Sequence, residues 1–230
     1  MHSSKSGRRL NFLITAGGTR EYIDPVRFIS NASSGRMGYE LARAVAAAGH
    51  NVTLITTVEK SKIKNQKSKL RTVEVETAGE MFEDVKKHFP GCDCLIMAGA
   101  VSDYTPVRKS KVKIKKSKND LVIRLKPTID ILNWAVKNRK KKQVVIGFAL
   151  EDKNVRSNAE RKMRQKNLDM IVANTPAAIG AERAEVLVKT AGKDWIKIAR
   201  APKRVVARRL IAMIQSLMPK SSLVNSDSNL

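Results

Sequence analysis

Between residues 17 and 38 the chain concentrates groups suited to holding phosphate. Gly17-Gly18-Thr19 follows a short apolar run, and Asn31 precedes Ser33-Ser34-Gly35-Arg36-Met37-Gly38. Glycines allow close backbone approach or a positive φ. Serine hydroxyls and the free N–H groups of a helix start hold phosphate oxygens. Asn31 is a neutral donor that can orient a carboxylate or steady an oxyanion without adding charge. The connection is long for a strand-to-helix turn, and long ordered loops at strand ends are normally functional. It is neither G-x-G-x-x-G nor a Walker A loop. A plain helix cap by Ser33 or Ser34 accounts for part of the pattern.

Other reactive groups follow later apolar runs. Asp103 comes after Ala100-Val101-Ser102 and could hold Mg²⁺ bridging phosphates, or simply initiate a turn beside Pro106. In Lys111-Val112-Lys113-Ile114-Lys115-Lys116 an extended strand would put Lys111, Lys113 and Lys115 on one face. Lysine is a compact point charge suited to a transferring phosphoryl group, although lysines on a strand also guard a solvated edge. Gly147 permits close approach, and Phe148 could pack on a base or sugar or serve as core. Asn174 ends the run Val172-Ala173-Asn174 and could read a polar ligand edge.

The elements that must position these groups are legible from periodicity. Apolar runs at 10–16, 51–56, 92–98, 143–149 and 168–173 read as buried strands, with an edge-like strand at 72–76. Helices are expected at 36–48, closed by Gly49, at 79–88 behind a Thr77/Glu80 capping box, and at about 128–138 and 154–167. Pro202 can open a last helix running to about 217. Residues 185–189 and 195–199 form a hairpin around Gly192-Lys193. The alternating runs within 107–126 predict a second hairpin, an excursion from the sheet. The fold class is α/β, a doubly wound, mostly parallel sheet whose ligands sit at strand carboxyl ends. Residues 10–217 form one domain, with residues 1–9 a disordered lead-in, 60–69 a basic loop and 218–230 a flexible tail.

The 230 residues are 42% hydrophobic and 29% charged, ordinary values that argue against disorder. No apolar stretch spans a bilayer and no secretory leader precedes the first strand, so a cytoplasmic location is expected. Cys92 and Cys94 would point the same way on a strand and are expected as buried free thiols. The histidines lie at no metal-ligand spacing. A net charge of +24 favours contact with anions. A generally basic surface explains most of it, and no aromatic residues interleave with the basic clusters as base stacking would require.

In order, the segments Ile14–Glu21, Ile23–Asn31, Ser33–Gly38, Ala98–Tyr104, Lys113–Lys116, Gly147–Glu151 and Val172–Asn174 resemble phosphopantothenate–cysteine ligase, also called phosphopantothenoylcysteine synthetase. In bacteria this is often the C-terminal half of a bifunctional coenzyme A biosynthesis flavoprotein. The resemblance implies a Rossmann-like fold with a protruding hairpin that makes a homodimer. It implies activation of 4′-phosphopantothenate by CTP, or alternatively ATP, with Mg²⁺, through an acyl-nucleotidyl intermediate that releases pyrophosphate. L-cysteine then couples to give 4′-phosphopantothenoylcysteine. Asn31 and Lys113 match the catalytic residues. Gly17, Gly18, Ser33, Ser34, Gly35, Ala100, Asp103, Lys116, Phe148 and Asn174 match the nucleotide site, with Asp103 toward metal. Gly18 stands where many members have proline. The flavin-dependent decarboxylase half is not represented in this sequence, so no flavin is expected on the chain and that enzyme would be a separate protein.

Two other classes make different demands. An NAD(P)-dependent oxidoreductase wants a tight G-x-G-x-x-G turn and an acidic end to the second strand, which here ends Ile55-Thr56-Thr57. A nucleic-acid-binding domain wants the missing aromatic interleaving.

Overall fold

A computed structural model of the chain describes residues 8–58 and 69–219. The 60–69 loop, the lead-in and the tail lie largely outside these residues. Apolar runs rich in Val, Ile and Leu make the central strands: β1 (Asn11–Ala16), β4 (Asn51–Thr56), β6 (Cys94–Met97), β9 (Val144–Leu150) and β10 (Met170–Asn174). Strands buried on both faces need continuous apolar sequence, and these have it. With β5 (Leu70–Glu74), β11 (Arg183–Thr190) and β12 (Ile196–Pro202) they form one eight-stranded sheet. Its order is β12-β11-β10-β9-β6-β1-β4-β5. The strands from β10 to β5 run parallel, whereas β11 and β12 are antiparallel. The expected 185–199 hairpin is therefore present with longer strands.

Helices cover both faces. α1 (Arg36–Ala47) and α5 (Lys203–Gln215) pack on one, over a core that includes Ile14, Leu41, Val45, Ile96 and Leu210. α2 (Ala78–His88), α3 (Ile131–Lys137) and α4 (Val155–Gln165) lie over a second core containing Leu13, Met81, Phe89, Leu95 and Ile171. The Thr77/Glu80 capping box is formed at α2. Cys92 and Cys94 are buried and free, but they serve opposite cores. A 3₁₀ turn at Phe89–Gly91 delays the strand to Cys94, so the alternation expected from Cys92 onward does not apply.

Two small ribbons flank the sheet. β2 (Arg20–Tyr22) and β3 (Phe28–Ser30) pair within the long loop after β1. β7 (Tyr104–Pro106) pairs antiparallel with β8 (Leu125–Pro127). This second ladder is all that forms of the hairpin expected over 107–126. Residues 107–124 contain no strand, and the Lys111–Lys116 run is irregular. The reason is burial: Val112, Leu121 and Val122 are 71%, 55% and 83% exposed, so the apolar side of the alternation has no core to face. A two-stranded ribbon without such a face is marginal in water.

Candidate functional site

The chain order places the site. From β1 the sheet grows toward β4 and β5, then resumes on the other side of β1 with β6, β9 and β10. In open α/β sheets a crevice opens outside the strand carboxyl ends where the winding reverses, here between β1 and β6. Backbone bonds prolong this strand pair into its loops: Ala100 N–H donates to Gly17 O (2.8 Å), and Thr19 N–H donates to Ala100 O (3.3 Å). The buried Thr19 hydroxyl accepts from Ser102 N–H at 2.9 Å. Asn31 adds a side-chain stitch, with Nδ2 donating to Ala100 O and Val101 O, both at 3.2 Å. Gly18 suits this arrangement because a Cβ there would stand 2.5 Å from Asn31 O.

A cavity of about 540 Å³ opens above these loops. Asn31, Ser33, Ser34 and Gly35 line it from the β1 side, and Ala100 and Asp103 line it from the β6 side. Phe148 and Asn174 come from β9 and β10. Gly17 and Gly18 lie outside its wall and shape the loop from below. Lys113 and Lys116 are not in the wall either: they are exposed on the irregular run.

The local chemistry corrects three expectations. Neither Ser33 nor Ser34 caps α1. Gly35 is its N-cap, in the left-handed region at φ 70°, with no side-chain cap bond. Ser33 Oγ accepts only a long bond from Gly35 N–H at 3.4 Å, and both serines line the cavity beside the start of α1. Asn31 uses its amide N–H groups on backbone, so the atom it can offer a ligand is Oδ1, an acceptor rather than the expected donor. At Gly147 the close neighbour is Leu168, 2.6 Å from an added Cβ, so this glycine serves core packing.

Residues that sequence reasoning missed line the same cavity. Lys162 in α4 donates to Phe148 O at 2.8 Å. Burial pushes its ammonium pKa down, Lys166 adds to that, and Glu151, Asp130 and Asp103 oppose it. Lys166 pairs with Asp130 at 2.6 Å. Lys203 and Arg36 also line the wall. These cations sit in helices whose patterns read as ordinary amphipathic charge, so only the fold gives them a common target.

Asp24 joins two loops 90 residues apart. Its buried carboxylate accepts from Val26 N–H (2.8 Å), Arg27 N–H (2.9 Å), the Arg27 guanidinium and Ile114 N–H (3.1 Å). Arg27 also donates to Ile114 O at 2.8 Å. The Arg27 side chain holds the Asp24 carboxyl well below the usual carboxylate range, against the opposing effect of burial. The residue beside Lys113 is thereby tied to the loop that carries Asn31.

A family model described as the DNA/pantothenate metabolism flavoprotein C-terminal domain matches residues 7–218. The chain belongs to this family. A crystal structure of the C-terminal domain of the coenzyme A biosynthesis bifunctional protein CoaBC superposes with a TM-score of 0.76 at 34% identity, covering 93% of this chain and 98% of that one. The CoaBC protein of Thermococcus kodakarensis is 38% identical over 224 residues, covering 94% of this chain and 53% of its own length. A protein of an unknown prokaryotic organism, named cysteine/cysteine sulfinic acid decarboxylase, is 41% identical, covering 93% of this chain and 59% of its own length. The chain thus spans little more than half of these curated relatives. Among the described residues no helix is long and apolar enough to cross a membrane.

Proposed function

We propose that this chain is a phosphopantothenate–cysteine ligase domain that activates a carboxylate with a nucleoside triphosphate and then amidates it. The observation that carries the reading is the cavity at the β1/β6 reversal, with the Asn31–Gly35 loop on one wall and Asp103 and Phe148 on others. Family membership and the match to the CoaBC C-terminal domain support the same chemistry.

In the first step a carboxylate oxygen of 4′-phosphopantothenate attacks the α-phosphorus of the nucleotide, CTP being proposed and ATP the alternative. The bond to the β-phosphate bridge breaks and pyrophosphate leaves. The N–H groups at the start of α1, with Ser33 and Ser34, hold phosphate oxygens, and Phe148 packs on the nucleoside. Asn174 binds a polar edge of the nucleotide. Of the two carboxylates in the cavity wall Asp130 is paired with Lys166, which leaves Asp103 as the group that would hold Mg²⁺, most of whose other ligands would come from nucleotide phosphates and water. Magnesium, when bound, neutralises phosphate charge. Lys113 supplies positive charge as the α-phosphate becomes more negative, with Lys116 beside it.

In the second step the cysteine amine attacks the acyl carbon, the acyl–phosphate bond breaks, the nucleoside monophosphate leaves and the amine loses a proton. Asn31 Oδ1 accepts a hydrogen bond from the amine and orients it. As a neutral amide it does not compete as a nucleophile for the mixed anhydride.

Lys113 lies outside the cavity wall of one chain, on a run whose Val112, Leu121 and Val122 are exposed. We assign this surface to a homodimer contact, in which packing against a second copy orders the run. A flavin-dependent decarboxylase consumes the product. Buried free thiols fit a reducing, cytoplasmic setting. The test is product formation from 4′-phosphopantothenate, L-cysteine and Mg²⁺ with CTP and ATP in parallel. Absence of the amide with both nucleotides, in folded protein, refutes the reading.

A further inference from the structure

Lys203 is placed where an ammonium is least welcome. It is 6% exposed, and its Nζ donates to Ala178 O at 2.9 Å. Among the described residues no carboxylate lies within ion-pair distance of it. The charge that acts on it is Arg36, of the same sign, which adds to burial in pushing its pKa down. It is also the first residue of α5, the helix end whose dipole repels cations. A buried, uncompensated charge is strongly unfavourable unless something pairs with it.

Its neighbours do not relieve the imbalance. Among the described residues Arg36 pairs only with the exposed Glu182, at 3.4 Å. By contrast, the lysines at another part of the wall have carboxylates acting on them: Lys166 pairs with Asp130, and Glu151, Asp130 and Asp103 favour the charge on Lys162. Lys203 and Arg36 line the same cavity as Ser33 and Gly35 at the start of α1, where backbone N–H groups also seek acceptors. Two cations and a helix N-terminus converge, and among the described residues the one carboxylate in ion-pair reach of either cation is the exposed Glu182.

We propose that Lys203, with Arg36, holds the polyphosphate tail of the nucleotide against the start of α1 and retains it as pyrophosphate after the α–β bond breaks. A polyphosphate supplies several acceptor oxygens and enough negative charge for both cations, which the single phosphate of the acid substrate does less well. The ammonium has three donors, and the two not given to Ala178 are available to it. This inference rests on the ligase reading for the identity of the nucleotide, but the phosphate seat can be tested without turnover.

The experiment is calorimetric titration of the full chain with inorganic pyrophosphate, CTP and 4′-phosphopantothenate, in wild type, Lys203→Met, Lys203→Arg and Arg36→Gln. Lys203→Met is expected to weaken pyrophosphate and CTP by about tenfold or more. It should leave 4′-phosphopantothenate within about twofold of wild type, and Lys203→Arg should recover part of the loss. Equal pyrophosphate affinity in wild type and Lys203→Met overturns the proposal, and so does a loss confined to 4′-phosphopantothenate. If Lys203→Met does not fold, Arg36→Gln decides: its exposed side chain is dispensable for the core, and unchanged pyrophosphate binding overturns the shared seat. Tight pyrophosphate binding by a wild-type chain that forms no amide leaves the seat standing and removes the ligase reading instead.

Discussion

Replacing Asn31 by aspartate separates the chemistry of this site from its fold. The Asn31 amide donates to Ala100 O and Val101 O at 3.2 Å each, and aspartate has no N–H for either. Two hydrogen bonds of about 0.5–1.5 kcal/mol each are lost, together about 1–3 kcal/mol. Because Asn31 is exposed, water replaces part of this, and the low end applies. For a chain of this size that is a melting shift of about 2–4 °C per kcal/mol, so the domain stays folded at 25 °C. The effect on reaction is larger. A carboxylate about 4 Å from a phosphate charge is repelled by about 4 kcal/mol at an effective dielectric near 20. Halved for solvent screening, that still slows the amidation by roughly 30-fold, taking about 1.4 kcal/mol per factor of ten. Aspartate also presents a nucleophilic oxygen to the mixed anhydride. The assay is single-turnover mass spectrometry of intermediate and product, with Asn31→Ala as the uncharged control. Asn31→Asp should form product at least about tenfold more slowly than Asn31→Ala. Equal product formation in the wild type and both variants would refute the role of Asn31 Oδ1.

Other outcomes follow from the same geometry. Lys113→Gln should abolish pyrophosphate release while leaving the melting temperature within about 1 °C, because the side chain is exposed; a circular-dichroism melt and a pyrophosphate assay check both. Asp24→Asn removes the anion that faces Arg27 and Ile114, so hydrogen exchange across 107–124 should speed up, and unchanged protection there would show that Asp24 does not hold the lysine run. Thr77→Ala breaks the α2 capping box and should lower stability by about 1 kcal/mol in denaturant titration. The His50 ring packs on Phe12, its Nδ1 accepts from Leu10 N–H at 3.3 Å, and its Nε2 lies 2.8 Å from the Gln215 amide nitrogen. Burial, then Lys69, holds its pKa below the usual value, and burial with Arg71 does the same for His88. The unfolded chain therefore binds these protons more readily, and stability falls as pH drops through the unfolded value of about 6.5 toward the lower folded values. Melting temperature should decline on acidification across that window, and His50→Gln should flatten the decline.

Much of this molecule was legible before its fold was known. The buried strands announce themselves through unbroken Val, Ile and Leu runs, because a strand covered on both faces has no polar side to show. The α2 cap was readable from Thr77 and Glu80 because its partners are local. The cavity residues at strand ends were also recoverable, since doubly wound topology sends every such end to one rim. What failed was non-local. Alternation at 107–126 looked like a hairpin, but alternation makes a strand only where one side is buried, and Val112 and Val122 face solvent. Ser33 and Ser34 matched a cap pattern, yet Gly35 at φ 70° takes the N-cap position and neither serine caps the helix. Lys203 gave no signal at all: a lysine after a proline at a helix start is unremarkable until its burial, with no carboxylate near it among the described residues, is visible. The Asp24–Ile114 tie was likewise invisible, because its partners are 90 residues apart.

The proposed reaction joins a carboxylate to an amine at the expense of a nucleotide α–β phosphate bond. Incubating the folded chain with 4′-phosphopantothenate, Mg²⁺ and CTP, first without and then with L-cysteine, tests it most directly when acyl-nucleotide, pyrophosphate and amide are followed together. Pyrophosphate and an acyl-nucleotide are expected before cysteine is added. After addition, amide and nucleoside monophosphate are expected in equal amounts, with ATP run alongside to fix the nucleotide. Neither pyrophosphate nor amide with either nucleotide, or release of inorganic phosphate in place of pyrophosphate, would contradict it.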